Sequence, residues 1–313
     1  MNTTDESKKS VIKKNIDKSK RMSLKKIATI GVGGLTTTLT ASCAAPLQAN
    51  TSTTLGHSVF GTGKAKVIVL HDWSVGVQSD YRMVLPFINN NKFTLAFADV
   101  RGYGKSKNML GEFTVAEISQ DVSGLADSLG WHQFSIVGHS MTGMAVQRIM
   151  ADMPERLISV VAAVPIPASG FPVDEETFAF FESMASNDES FKGGMTALTS
   201  GRYGDTWADY KLAENRATVS ADAMKAYATM WSKADFSAEV TGNQTPILIV
   251  YGAYDSEVLR ENTAGATYKL WYPNLEEHIC QSGHYPMTET PIDYIETVQN
   301  YLLKKHFGET PTT

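Results

Sequence analysis

Residues 133–150 change hydrophobic period across a single turn, and this limits the fold more than any other stretch of the 313-residue chain. Residues 133–137 (Gln-Phe-Ser-Ile-Val) are a short apolar run with aromatic and β-branched members, the pattern of a buried strand. After Gly138-His139-Ser140, apolar residues recur at Met141, Met144, Ala145, Ile149 and Met150, which is helical spacing. A buried strand feeding directly into a helix belongs to a parallel sheet with helices on its faces. Further apolar runs at 66–70, Phe93–Ala98, 158–164 and 246–250 supply more strands, and Leu275–Cys280 reads as another.

Ser140 stands at the turn. A serine on a tight strand-to-helix turn projects its hydroxyl above the sheet, the arrangement known as a nucleophile elbow. The backbone folds back closely there, so small neighbours are required. Gly138 is one. The usual second glycine, two residues after the serine, is Thr142 here, with Gly143 behind it. A G-x-S triplet alone is common; strand, turn and helix in series give it meaning.

A serine hydroxyl is a poor nucleophile without a base, and the base needs an orienting acid. The run 246–250 leads into Tyr251-Gly252-Ala253-Tyr254-Asp255, which puts Asp255 in a loop at the C-terminal end of a strand. Ligands and catalytic groups of open α/β sheets gather at that edge. Leu275–Cys280 leads into Gln-Ser-Gly-His-Tyr-Pro-Met, so His284 lies in the next such loop, ahead of a final helix. His278 falls within the strand and is the weaker candidate for the base, because loop residues reach a site more readily. Serine, aspartate, histidine is the chain order of one hydrolase architecture and differs from that of the two best-known serine protease folds.

Five stretches now stand in order along the chain: His71-Asp72-Trp73, Asp99-Val100-Arg101-Gly102-Tyr103-Gly104-Lys105-Ser106, Gly138-His139-Ser140-Met141-Thr142-Gly143, Tyr251-Gly252-Ala253-Tyr254-Asp255 and Gly283-His284-Tyr285-Pro286-Met287. With them the chain resembles an α/β-hydrolase of the bacterial esterase and non-haem haloperoxidase type. The resemblance implies an α/β fold with a mostly parallel central sheet flanked by helices and an inserted helical cap. It implies Ser140 as nucleophile, His284 as general base and then acid, and Asp255 as the residue orienting His284. His71-Asp72-Trp73 stands where such proteins usually read His-Gly-x, the backbone N–H of x being half of an oxyanion hole. On that mapping the amides of Trp73 and Met141 are the two donors. Asp72 replaces the glycine and is expected to point away and bond to backbone.

Several polar residues read as structural. Asp99 and Arg101 are expected to pair within the turn after Phe93–Ala98, where Gly102 and Gly104 shape the loop. His139 points the opposite way from Ser140 and is expected to pack. His71 reads as a hydrogen-bonded shaping residue.

With 42% apolar and 19% charged residues the chain can bury a substantial core, and its length suits one α/β domain with an insertion. There is no glycine-rich phosphate loop, no histidine cluster at metal-ligand spacing, and the two cysteines stand far apart, so no cofactor and no metal are expected. Residues 1–49 differ in kind. They hold nine Lys/Arg and three Asp/Glu, a net +6 against −5 for the whole chain, which leaves −11 for residues 50–313. So acidic a body does not suit nucleic acid. A basic region, an apolar stretch at 27–41 and then small residues form the pattern of an export signal. The apolar stretch is shorter and more polar than a membrane span of ~20 residues. Ser19-Lys20-Arg21-Met22-Ser23-Leu24-Lys25 resembles a twin-arginine signal with lysine first, while a start at Met22 leaves a compact signal of the general secretory kind. Leu39-Thr40-Ala41-Ser42-Cys43 resembles a lipobox, and lipidation at Cys43 would tether the protein to a membrane. Cleavage after Leu47-Gln48-Ala49 would instead release a soluble form whose sole cysteine is Cys280.

The middle of the chain carries no core strand from 165 to 245. Residues 166–237 are therefore expected above the sheet as a cap, dividing the core into 50–165 and 238–313. Helical patterns at Glu175–Met184 and 221–231 are expected to alternate with loops such as Gly193-Gly194 and Gly201-Arg202-Tyr203-Gly204. The cap is rich in aromatic and thioether side chains, among them Phe181, Met195, Trp207, Tyr227 and Trp231. Most must pack cap against core, but some must roof Ser140. An apolar roof suits an acyl, aromatic or alicyclic small-molecule substrate rather than a sugar or polyanion. The expected activity is therefore a serine hydrolase acting on small, fairly apolar esters or lactones. Perhydrolases, C–C bond hydrolases and cofactor-free oxygenases share the same three residues, and a non-catalytic binder on the same fold is the alternative from another class. Serine rather than aspartate at 140 argues against dehalogenase and epoxide hydrolase chemistry, which needs a carboxylate nucleophile.

Overall fold

The computed structural model describes residues 54–308. The expected leader at 1–49, with Cys43 and the site at Ala49, lies outside the described residues. Seven strands form one sheet: β1 (His57–Phe60), β2 (Ala65–Leu70), β3 (Phe93–Ala98), β4 (Phe134–His139), β5 (Leu157–Ala163), β6 (Ile247–Gly252) and β7 (Leu275–Cys280). Their spatial order is β1-β3-β2-β4-β5-β6-β7. β1 runs antiparallel to β3, and the other five pairings are parallel. β3, β4 and β6 are buried along their whole length. That is the result of helices covering both faces, and it is why these strands read as unbroken apolar runs. β1 was not among the expected strands; it is short and half-exposed, too weakly apolar to read as a core run.

The helices are α1 (Val77–Tyr81), α2 (Val115–Ser128), α3 (Met141–Asp152), α4 (Glu175–Met184), α5 (Asp188–Leu198), α6 (Asp205–Thr218), α7 (Ala221–Lys233), α8 (Ser237–Val240), α9 (Glu261–Trp271), α10 (Pro286–Glu289) and α11 (Pro291–Phe307). The strand order reverses between β2 and β4, which makes the crevice at their C-terminal ends the switch point where α/β sheets place their sites. The loop after β2 and the turn after β4 flank it.

Helices α4 to α8 lie between β5 and β6. Gly193 and Gly194 lie inside α5, not in the expected loop. Asn187 starts that helix by accepting the Ser190 amide at 2.8 Å, and Phe191 and Met195 bury its inner face. At Gly194 a Cβ would meet the tip of the Met184 side chain from α4, which would have to move aside. Neither glycine breaks the helix. The second expected loop does separate α5 from α6, with Gly201 at φ +67°.

Asp99 and Arg101 do not pair with each other as expected. Asp99 accepts the amides of Val77 and Lys105, both at 2.9 Å, and so ties the loop after β3 to α1. Arg101 makes a two-pronged contact with Asp121 of α2 at 2.7 and 2.8 Å. The two turn residues, separated by Val100, each find a partner on a different helix.

Candidate active site

β4 delivers Ser140 in a conformation that side chains rarely adopt, φ 53° and ψ −109°. Such a residue costs roughly 1–3 kcal/mol and persists only where its surroundings dictate it. They do so here. The Ser140 amide donates to the Ala163 carbonyl at 2.9 Å, and the Ser140 carbonyl accepts from Met144 and Ile166 at 3.1 and 3.2 Å. At Gly138 a Cβ would strike the main chain of Thr142, because α3 folds back over the end of β4. Thr142 is more than tolerated. Its hydroxyl accepts the His139 amide at 3.0 Å and donates to the His71 carbonyl at 2.7 Å. The β2–β4 ladder pairs Val67, Ile68 and Val69 with Ser135, Ile136 and Val137, and the threonine hydroxyl continues the join beyond it.

The structure brings Ser140, His284 and Asp255 together from three loops. Ser140 Oγ and His284 Nε2 are 2.7 Å apart, and His284 Nδ1 and Asp255 Oδ2 are 2.7 Å apart. The carboxylate can only accept, so Nδ1 carries the proton and Nε2 faces the serine hydroxyl as acceptor. Asp255 is fully buried, and its other oxygen takes the Ser256 amide at 2.6 Å. His278 lies elsewhere, bonded to Asp293 at 3.1 Å. The His284 loop is pinned by its main chain: its amide donates to the Leu198 carbonyl at the end of α5, at 3.1 Å. Gly252 has no side chain because the Gly283 carbonyl occupies the space a Cβ would need.

Two further amides, those of Met141 and Trp73, belong to the loops that flank this region. Met141 is the first residue of α3, so its N–H has no acceptor within the helix and carries the positive end of the helix dipole. The Trp73 amide donates to no described residue. His71 shapes that loop: Nδ1–H donates to the Asp72 carbonyl at 2.7 Å and Nε2 accepts the Val100 amide at 3.1 Å. Asp72 caps the turn, accepting from the Ser74 hydroxyl at 2.6 Å and the Val75 amide at 3.0 Å. The Trp73 indole reaches into the cap, where Nε1 donates to the Met224 carbonyl at 2.7 Å. Trp73, Phe181 and Trp231 pack edge to face, with centroids 5.1 to 6.0 Å apart. Tyr227, expected as a possible roof residue, instead packs on Tyr103 and Phe113.

His139 is not simply packed. It is fully buried, with Nδ1 2.7 Å from Asp80 Oδ2 and Nε2 2.7 Å from the carbonyl of His284. Burial alone would push the Asp80 carboxyl up, but the His139 and Lys211 charges outweigh it and hold the carboxyl below its ordinary value. Burial would likewise lower the His139 pKa, yet Asp80 keeps it above the usual imidazole value. Lys211 of α6, also fully buried, sits 4.0 Å from Asp80 Oδ1 and over the rings of Tyr285 and Trp207. Neither Asp80 nor Lys211 stood out in the sequence. Their one signal is His139 itself: a polar residue in a buried strand must find hydrogen-bond partners.

Among the described residues, two groups bring three metal-ligating atoms within 4.8 Å of one another. In the first, His278, Cys280 and Asp293, burial pushes the thiol up to about 12, far from the thiolate a metal needs. The second, Asp72, Asp80 and His139, is bonded within itself and already faces the Lys211 ammonium.

A mostly parallel sheet with a strained serine at its switch point and an acid–histidine pair on the following loops defines a hydrolase architecture. The model of the "Alpha/beta hydrolase family" matches residues 67–297, and the chain belongs to that family and is an enzyme. It is 23% identical over 253 residues to pimeloyl-[acyl-carrier protein] methyl ester esterase of Cronobacter sakazakii, covering 76% of this chain and 93% of that protein. It is 25% identical over 217 residues to 2-hydroxymuconate semialdehyde hydrolase of Pseudomonas putida, covering 65% and 75%. Its fold is similar to that of a bromoperoxidase from Bacillus anthracis, with a TM-score of 0.70, 20% identity and coverage of 79% and 94%.

Proposed function

We propose that this enzyme is a serine hydrolase that cleaves small, fairly apolar carboxylic esters or lactones through an acyl-enzyme. The reading rests on the bond chain from Ser140 Oγ through His284 to Asp255. Ser140 Oγ attacks the carbonyl carbon as His284 Nε2 takes its proton. Asp255 stabilises the imidazolium, which then protonates the departing alkoxide. Water attacks the Ser140 ester with the same base and releases the acid. The amides of Trp73 and Met141 receive the oxyanion, each worth roughly 3 kcal/mol in such a role. The apolar cluster of Trp73, Phe181 and Trp231 favours an acyl or aromatic group over a polar one. The esterase among the relatives points the same way.

The test is direct. The protein should label with a fluorophosphonate and hydrolyse short p-nitrophenyl esters, and Ser140→Ala should lose both. A wild type that neither labels nor hydrolyses would refute the reading. Labelling with turnover only of a C–C bonded diketone, or only with peroxide present, would move the chemistry to the reactions of the other two relatives.

We also propose export, from the charge and hydropathy pattern of residues 1–49. Among the described residues no helix is long and apolar enough to cross a membrane. Mass spectrometry of the mature N-terminus decides the route. An end after Ala49 means release, a lipidated Cys43 means tethering, and an unprocessed leader overturns the proposal.

A further inference from the structure

Two consecutive residues grip His284 from opposite ends. Ser140 bonds its ring, and His139 bonds its main-chain carbonyl. We propose that His139, charged by Asp80 and backed by Lys211 from the cap, is a positioning residue that fixes His284 relative to Ser140. This rests on the role given above to His284 as general base.

Donor counting gives the charge. A carbonyl only accepts, so His139 Nε2 carries a proton toward His284. Nδ1 faces Asp80 Oδ2, which also accepts the Asp72 amide at 3.2 Å, while Oδ1 faces Lys211. An oxygen already accepting one N–H, on a carboxyl beside an ammonium, is an acceptor for Nδ1–H as well. Both ring nitrogens then donate, and the imidazole is a cation paired with a carboxylate. The raised His139 and lowered Asp80 values agree with that assignment.

The pair is sealed. Asp80 comes from α1, and Asp72 and His71 from the end of β2. Lys211 comes from α6, and His284 and Tyr285 from the loop after β7. The His284 and Tyr285 rings lie 5.4 and 5.5 Å from the His139 ring. Asp80, Asp72, His71, Lys211 and Tyr285 are 2% exposed or less, so the bond to the His284 carbonyl does not compete with water. The amide of the same residue is held by Leu198 at the end of α5. His284 is therefore fixed at its N–H by the cap, at its C=O by His139, and at its ring by Asp255 and Ser140. Because His139 and Ser140 share a peptide bond, any shift of the elbow carries nucleophile and base together.

Two variants separate charge from anchoring. His139→Gln keeps a neutral donor to the His284 carbonyl but removes the cation; kcat for a p-nitrophenyl ester should fall by less than about tenfold. His139→Leu removes the donor too, and kcat should fall about 10- to 100-fold with KM changed less than about threefold, as expected when a reacting group is misplaced. On the wild type, nitrogen-15 spectra of the histidine rings at pH 7 should show both His139 nitrogens protonated. A neutral His139 ring, or a folded His139→Leu variant with the wild-type kcat, overturns the proposal. The ring spectrum decides even where a variant fails to fold. Loss of the serine-hydrolase reading would show separately, as a wild type that does not label with fluorophosphonate.

Discussion

Thr142→Val is a near-isosteric change that removes one hydroxyl and nothing else of size. In the structure that hydroxyl accepts the His139 amide and donates to the His71 carbonyl, in a site with no solvent exposure. Valine leaves one buried N–H and one buried C=O without these bonds. Each such group costs about 1–3 kcal/mol, and with partial relaxation the pair costs about 2–4 kcal/mol. With about 2.1 cal/mol/K of unfolding entropy per residue over residues 54–308, the melting temperature should fall by about 4–7 °C. Thr142→Ser keeps the hydroxyl and loses only a methyl group, so it should lie within about 3 °C of the wild type. Differential scanning calorimetry of the three proteins reads this directly. Amide exchange at His139 should also quicken in Thr142→Val. If the valine variant melts at or above the serine variant, the hydroxyl is not joining β2 to β4, and the account of why threonine replaces the usual glycine is wrong.

Other outcomes follow from the same geometry. Gly252→Ala places a methyl group against the Gly283 carbonyl and must displace the loop carrying His284; kcat should fall about 100-fold or more while stability drops only about 1–3 kcal/mol, measured by ester turnover and thermal melting. Trp73→Phe keeps the amide and the ring but frees the buried Met224 carbonyl. Its KM should rise for esters large enough to touch the cap, while kcat for p-nitrophenyl acetate stays within about threefold. The charge pair sets a pH window for stability. The His139 pKa is raised above 6.5, so its contribution is complete below that value and is lost as pH climbs through the raised one. The Asp80 pKa is lowered from 3.8, so its contribution is complete above that value and is lost as pH falls through the depressed one. The melting difference between wild type and His139→Gln should therefore be largest between these two values and shrink above neutrality; a difference that grows with alkaline pH would contradict the sign.

The parallel core was legible because buried strands need unbroken apolar runs, and five of them stand out; the sixth, Leu275–Cys280, is polar and only half-buried. Ser140, Asp255 and His284 were legible for another reason: the elbow and the strand-end loops impose local spacing that survives in the chain. What stayed hidden depends on distant partners. Asp80 and His139 are 59 residues apart, and no local pattern links them. Lys211 was invisible because a lysine in a helix reads as a surface residue unless its burial is known. Gly193-Gly194 misled because a glycine pair commonly marks a turn, and here both lie inside a helix held by its buried Phe191 and Met195. Arg101 beside Asp99 looked like a pair because neighbours in sequence are easy to join, while the true partner lay on α2.

Trp73 sends its indole into the cap, while its amide is the one proposed above to receive the oxyanion. This limits how the protein can diverge. If its amide has that proposed role, a mutation that remodels the cap around Met224 also pulls on an oxyanion donor, so large changes of substrate range risk catalytic power. Phe181 and Trp231 touch the same indole without hydrogen bonding to it. Drift, or a designed library, can alter them and leave the reaction centre untouched. Selection for new substrates should therefore accumulate changes at 181 and 231 and leave 73 fixed.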